Sequence, residues 1–322
     1  MKPFEFTLLN DFQRAFPLVP QPFRVIAEQL GTTEREVMEA LRALSRGGTV
    51  SRIGAVFAPG KIGAGALAAL AVPPDRLNEV AARVSARPEV NHNYEREHRF
   101  NLWFVATAAC RARLDLALDE IAAQAGCPLI RLPLLEEFHI DLGFDLNGGA
   151  KPASASRIVD GDMACDLPLM ERDLLAALQE GLEIRSRPYA RLASRAGLSE
   201  AMALELIEQW IAAGFIKRFG VILRHRELGY HANAMCVWDV PDPLVSDVGA
   251  SLAAELAVTL CYRRARALPE WPYNLFCMIH GRSRPDVERE IEAIQSRLGL
   301  GDFPHAVLFS LRRFKQRGAR YV

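Results

Sequence analysis

The chain has no C-x-x-C pair, no long hydrophobic run and no excess of either charge, and each absence removes a class of function. Its six cysteines, Cys110, Cys127, Cys165, Cys236, Cys261 and Cys277, are scattered, several within apolar runs such as Met235-Cys236-Val237. Scattered cysteines of this kind read as buried reduced thiols in a cytosolic protein, not as a metal or disulfide framework. No apolar stretch approaches the ~20 residues a membrane span needs, and the opening Met1-Lys2-Pro3-Phe4-Glu5 has no charged-then-apolar signal pattern. A cytoplasmic, soluble protein with no membrane partner is therefore expected. Lys+Arg and Asp+Glu both total 39 in 322 residues, whereas proteins that live on nucleic acid usually carry a basic surplus. What the chain has in quantity is apolar material, 50 % of residues, enough for more than one buried core.

The chain repeats itself. Pro22-Phe23 matches Pro188-Tyr189, and the same offset of 166 carries Gly31 to Gly197, Glu34 to Glu200, Gly48 to Gly214, Arg52 to Arg218, Gly54 to Gly220 and Gly63 to Gly229. Because glycine and proline fix backbone geometry, matching them at constant spacing predicts the same chain path twice. Farther on, Tyr94 and Arg96 pair with Tyr262 and Arg264, and Asn101 with Asn274. The drift in offset marks an insertion in the second half, Ala267-Leu268-Pro269-Glu270-Trp271.

Each half opens with helices. Thr33-x-x-Glu36 has capping-box spacing ahead of the Val37, Leu41, Leu44 stripe, and Ser199 precedes Leu204, Ile207 and Ile211. The β-branched segments Val50–Phe57 and Ile216–Leu223 follow and suit a hairpin or wing in each half. The remainder of each half reads strand, helix, strand, strand, helix, strand. The expected fold class is α+β, a tandem duplication of a winged helix-turn-helix plus a ferredoxin-like βαββαβ module. Expected boundaries are winged helix one at 1–60, ferredoxin-like domain one at 61–146, a linker at 147–168, winged helix two at 169–226 and ferredoxin-like domain two at 227–322, the halves forming an intramolecular pseudo-dimer. DNA binding is not expected: the second recognition-type helix, Ser199 to Trp210, carries three glutamates and no Lys or Arg, and an acidic face repels phosphate.

The densest polar cluster is His92-Asn93-Tyr94-Glu95-Arg96-Glu97-His98-Arg99-Phe100-Asn101-Leu102-Trp103-Phe104. If it is a strand, Tyr94, Arg96 and His98 share one face. The second half repeats the Tyr, the Arg and the Asn within Cys261-Tyr262-Arg263-Arg264 and Trp271-Pro272-Tyr273-Asn274, but has no His matching His98. Its histidines fall elsewhere, at His225 and His231 within Arg224-His225-Arg226-Glu227-Leu228-Gly229-Tyr230-His231-Ala232-Asn233-Ala234-Met235, and at His280.

These motifs make the chain similar, over nearly its whole length, to the siroheme decarboxylases of the Lrp/AsnC-like superfamily, in particular the fused NirDL type. The His92–Phe104 run resembles the D-type signature; the runs from His225 to Met235 and from Trp271 to Gly281 resemble the L-type one. The resemblance implies removal of carbon dioxide from two acetate side chains of siroheme, giving didecarboxysiroheme on the way to haem d1. It implies siroheme as the partner molecule, and no cofactor beyond the substrate's own iron tetrapyrrole. Association into a homo-oligomer or with related haem d1 biosynthesis proteins is left open. A polycarboxylate macrocycle calls for guanidinium forks, for which Arg96, Arg264, Arg224 and Arg226 are candidates. It also calls for an aromatic wall, offered by Trp103, Trp271, Tyr273 and Met235. Tyr94, Asn101, His231, Tyr262, Asn274 and His280 complete the expected substrate-binding set. An imidazole has an ordinary pKa near neutrality, which makes His98 the first candidate for proton delivery and His225 the second. Each carries the alternative of axial ligation to the substrate's iron. The competing readings are a ligand-responsive regulator of the same fold and a haem sensor without catalysis.

Overall fold

The computed structural model describes residues 3–58, 60–140, 156–157, 166–223 and 232–322. The expected linker at 147–168 therefore lies mostly outside the described residues, and Arg224, His225, Arg226 and His231 lie outside them.

Local signals place the first helices. After α1 (Pro3–Asp11), α2 (Pro22–Leu30) starts with proline at its first turn and stops at Gly31, whose φ of 64° is the left-handed region that glycine enters without strain. The expected capping box is made at α3 (Glu34–Arg46): Thr33 Oγ1 accepts from the Glu36 N–H at 3.3 Å while Glu36 Oε2 accepts from the Thr33 N–H at 3.0 Å. The second half repeats the plan with α6 (Leu169–Glu180), α7 (Pro188–Arg195) and α8 (Glu200–Ala212), the last capped by Ser199. The strands that follow, β1 (Val50–Phe57) and β7 (Ile216–Leu223), do not form the hairpin expected in each half. They pair antiparallel with one another, with Gly54 opposite Gly220. Each winged helix supplies a single strand here, and the edge of one is satisfied by the edge of the other. The two winged helices also share one core, in which Phe23, Val37 and Leu41 meet Tyr189, Ile207 and Trp210.

In half one the ferredoxin-like unit is β2 (Ala64–Leu70), α4 (Leu77–Ala86), β3 (Val90–Arg96), β4 (Leu102–Ala108), α5 (Arg111–Ala125) and β5 (Leu129–Ile140). In half two it is β8 (Ala232–Trp238), α9 (Val245–Ala254), β9 (Val258–Arg264), β10 (Leu275–Gly281), α10 (Arg284–Leu298) and β11 (His305–Gln316), and the two-residue β6 (Ser156–Arg157) adds to β5. The last strand of each unit is 12 residues long and is shared. The first part of β5 pairs with β2 and its end with β9; the first part of β11 pairs with β8 and its end with β3. Strands β2, β4, β3, β11, β8, β10, β9 and β5 thereby close into a ring. The alternation of strand side chains divides the buried residues accordingly. One set packs outward under α4 and α5, and a second under α9 and α10. A third, including Trp103, Trp271, Phe276, Met235 and Leu308, fills the inside of the ring.

Candidate active site

Inside the ring, β3 and β9 carry the same two side chains. Tyr94 and Arg96 enter from half one and Tyr262 and Arg264 from half two, and both guanidiniums are buried. Arg96 Nη1 donates to the Leu308 carbonyl of β11 at 2.9 Å, and Arg264 Nη1 donates to the Leu132 carbonyl of β5 at 2.9 Å. Each cation thus reaches across into the shared strand of the other half, a pseudo-twofold pair. Arg264 also lies 4.7 Å from the centroid of the Tyr262 ring, a cation–π contact. Among the described residues neither guanidinium has a carboxylate partner, and burial pulls both below the usual arginine range, Arg96 to about 10. Tyr262 is pushed up by burial, against the pull of Arg264 and Arg96. A buried charge without a counter-ion is expensive. Two of them in one interior mark a place that gains by admitting anions.

Arg96 has a further partner. Its Nη2 donates to Asn233 Oδ1 at 3.2 Å, Asn233 Nδ2 contacts His280 Nε2 at 2.7 Å, and His280 Nδ1 contacts Thr259 Oγ1 at 2.9 Å. His280, expected from the sequence as substrate-binding, is therefore joined to Arg96 through Asn233, which had been noted only as part of a motif. Thr259 had not been singled out at all. Neither residue is exceptional in its own strand, and only the pairing of β10 with both β8 and β9, together with the reach of Arg96 to Asn233, brings them together.

His98 does not continue the β3 face. The strand ends at Arg96, and residues 97–101 form the connection to β4. The Phe100 N–H donates to His98 Nδ1 at 3.0 Å, which orients the half-buried ring so that Nε2 remains for another molecule. Burial, then the neighbouring Arg99, lowers the imidazole pKa from 6.5, so the ring is neutral near pH 7. It lies edge-on to Trp271 at 5.1 Å between centroids, and Trp271 in turn meets Trp103 at 4.9 Å and Tyr273 at 5.0 Å. The inserted 267–271 segment of half two thus supplies the wall against which the half-one imidazole rests, and Arg99 pairs with Glu270 across the same junction. In half two the position matching His98 is Arg266, tied to Asp239 and Asp242.

The two expected asparagines are occupied. Asn101 brackets the Val72 backbone, accepting from its N–H at 3.0 Å and donating to its carbonyl at 2.9 Å. Asn274 does the same to Val240 at 3.0 and 2.9 Å. Their amides hold the ends of β2 and β8 and carry no free group into the ring. Among the described residues there is no cluster of side chains suited to hold a metal ion, and no helix is long and apolar enough to cross a membrane. A cavity of about 410 Å³ lies at the outer end of half one, between α5, Arg172 and Arg320. None of the residues above lines it.

Comparison with known proteins agrees with this architecture. Residues 61–139 and 227–315 match the family model of an AsnC-like ligand binding domain, and residues 5–50 and 171–216 match that of a siroheme decarboxylase NirDL-like HTH domain. A siroheme decarboxylase NirDL subunit from Paracoccus denitrificans is 43 % identical over 99 % of this chain and 97 % of its own length. The chain belongs to the siroheme decarboxylase NirDL family. A crystal structure of the siroheme decarboxylase NirDL superposes with a TM-score of 0.73 at 28 % identity, covering 99 % of this chain and 94 % of that one. A second, of NirDL in co-complex with an iron-uroporphyrin III analogue, gives 0.71 at 27 % identity, covering 99 % and 93 %. In this NirDL-family chain the ring interior brings together Tyr94, Arg96, Tyr262, Arg264, Trp103, Trp271 and His280, while His98 and Tyr273 stand at its junction with the inserted segment.

Proposed function

We propose that this chain removes carbon dioxide from two acetate arms of siroheme, giving didecarboxysiroheme for haem d1 synthesis, and that the ring interior is where it does so. The observation that carries the reading is the pair of buried guanidiniums, Arg96 and Arg264, without a carboxylate partner among the described residues. Siroheme ends in carboxylates all round its rim, and a guanidinium receives a carboxylate through two parallel N–H groups. The partly buried Tyr273, backed by the buried rings of Trp103, Trp271 and Phe276, offers the apolar cover that the macrocycle needs.

The chemistry then divides between the two kinds of surface. A carboxylate gripped by arginine is stabilised as the anion and resists losing carbon dioxide, so Arg96 and Arg264 serve arms that stay on. The reacting acetate belongs at the aromatic wall near His98, where its charge lacks compensation and departure as neutral carbon dioxide relieves it. Each loss breaks one carbon–carbon bond, leaves its electron pair on the tetrapyrrole side, and requires one proton to complete the methyl group. The macrocycle receives the electron density, and the proton comes from Nε2 of His98 in its charged form, in which Nδ1 is also protonated and gives up the Phe100 N–H, so that the ring returns to its neutral state after each transfer. No organic cofactor enters this scheme, and the iron is part of the substrate.

Anaerobic incubation with siroheme, followed by absorbance and product mass, tests the reading. Loss of two molecules of carbon dioxide per macrocycle is expected. A coloured complex with all acetates intact would instead indicate a tetrapyrrole sensor. A salt-dependent shift of duplex DNA without turnover would indicate a regulator.

A further inference from the structure

The closed ring places Arg96 and Arg264 at pseudo-equivalent positions, and the residues around them differ position by position. Asn233 stands opposite His280 on β8 and β10, as Gly65 stands opposite Thr107 on β2 and β4. Thr259 occupies the register irregularity of β9, as Asn91 occupies that of β3. Arg96 therefore meets an amide backed by an imidazole, whereas the counterpart position facing Arg264 is a glycine with no side chain at all.

The hydrogen bonds around Arg96 have one self-consistent direction. A guanidinium only donates, so Asn233 turns its Oδ1 to Arg96 and its Nδ2–H to His280 Nε2. His280 Nδ1–H then donates to Thr259 Oγ1, and the Thr259 hydroxyl donates to the Met278 carbonyl at 3.1 Å. The series ends on backbone, which gives the Asn233 amide a single orientation and holds Nη2 of Arg96 in place.

In the other half the segment 317–322 lies across the counterpart residues. The Arg317 N–H donates to the Asn91 carbonyl at 2.9 Å, His92 Nε2 to the Arg317 carbonyl at 3.0 Å, and Thr107 Oγ1 to the Arg320 carbonyl at 2.6 Å. Asn91 Nδ2 joins the same group by donating to Thr107 at 2.7 Å. Gly63 shows how closely the segment is seated, since a Cβ there would stand 2.9 Å from the Tyr321 ring. The cavity at this end is walled by Arg320 and Tyr321 and includes neither Tyr262 nor Arg264. The imidazole of the hairpin tip follows the same asymmetry: His98 stands two residues beyond Arg96, and Arg266, ion-paired with Asp239 and Asp242, stands two residues beyond Arg264.

We infer that each chain binds one siroheme, with a rim carboxylate received by Arg96 beside Asn233 and His280, that Asn233 and Thr259 are positioning residues for that guanidinium, and that segment 317–322, by covering Asn91, His92 and Thr107, occupies the equivalent place beside Arg264. The inference rests on the decarboxylase reading and adds to it where the substrate sits, how many are held and what orients the clamp.

Anaerobic titration of the full chain with siroheme reads the stoichiometry, and steady-state turnover reads the roles. One equivalent per chain is expected. Asn233→Ala should raise KM about tenfold with kcat within about twofold, as loss of a single orienting hydrogen bond to a charged group predicts. Asn233→Asp should raise KM further, because its carboxylate occupies the cation meant for substrate; a merely structural role would be preserved or strengthened by that ion pair. Thr259→Val should follow Asn233→Ala in direction, Thr259→Ser should restore the original KM, and Asn91→Ala beneath segment 317–322 should leave KM unchanged. Two equivalents per chain, or an unchanged KM in Asn233→Ala, overturns the inference while leaving the decarboxylase reading standing. No uptake of siroheme by the unaltered chain overturns both.

Discussion

His98 and His92 are six residues apart and do unlike work. His98 offers Nε2, its Nδ1 accepting from the Phe100 N–H, and its pKa is lowered by burial and then by the neighbouring Arg99. His98→Ala should retain siroheme binding and lose roughly 10²–10⁴-fold in kcat, the usual range for a proton-transfer residue, as followed by product mass; unaltered turnover would remove it from the mechanism. Because the ring must be charged before it can give up a proton, and its pKa lies below 6.5, kcat should rise as pH falls toward that value in the unaltered enzyme and lose this dependence in His98→Ala. His92 is instead half-buried against segment 317–322, and desolvation there takes its pKa from 6.5 down to about 4. The folded state thus refuses a proton that the unfolded chain accepts below pH 6.5. The stability of the fold is complete above that pH and declines between 6.5 and 4, by as much as about 3 kcal/mol from this residue. Urea unfolding across this pH range should show a shallower decline in His92→Gln than in the unaltered chain.

At the scale of elements, β1 and β7 show how much depends on a backbone approach. A Cβ on Gly220 would stand 2.2 Å from the Gln13 carbonyl oxygen, whereas one on Gly54, directly opposite in the ribbon, would meet the Gly181 Cα at 3.2 Å. Gly220→Ala should therefore destabilise the paired winged helices by about 2–4 kcal/mol and Gly54→Ala by clearly less, an order that denaturant midpoints of the two variants check directly. The β3–β4 and β9–β10 connections show the same kind of dependence. The insertion that shifts the repeat by five residues in half two is what brings Trp271 against His98 and Trp103. A loop that looked like punctuation in the repeat forms the wall of the site.

Across the whole molecule, the exchange of β5 and β11 makes the two halves incomplete without each other. Each ends in a strand whose second part pairs only with the other half, and the winged helices divide one ribbon and one core between them. Expressed as separate polypeptides, residues 1–146 and 147–322 should self-associate or aggregate through these open edges. When co-expressed they should recover a one-to-one complex with siroheme turnover. Size-exclusion chromatography with product mass tests this, and a well-behaved monomeric half would contradict it. The same closure holds Arg96 and Arg264 in place, each guanidinium donating to a carbonyl of the other half's shared strand.

Much of this was determined by the sequence alone. The duplication, the helix starts at Pro22, Thr33, Pro188 and Ser199 and the twofold βαββαβ order follow from periodicity, capping chemistry and spacing, which act over a few residues; the candidacy of Tyr94, Arg96, Tyr262, Arg264 and Trp271 comes from the repeat together with the resemblance to siroheme decarboxylases. What only the tertiary structure decided involves partners far apart in the chain. It paired β1 with β7 rather than forming hairpins, ended β3 before His98, and assigned Asn101 and Asn274 to backbone. It also linked Arg96 to Asn233, 137 positions away. Local patterns specify which face of a strand a side chain occupies; which strand lies across from it is settled by ring closure, through the burial and hydrogen bonding of the whole chain at once.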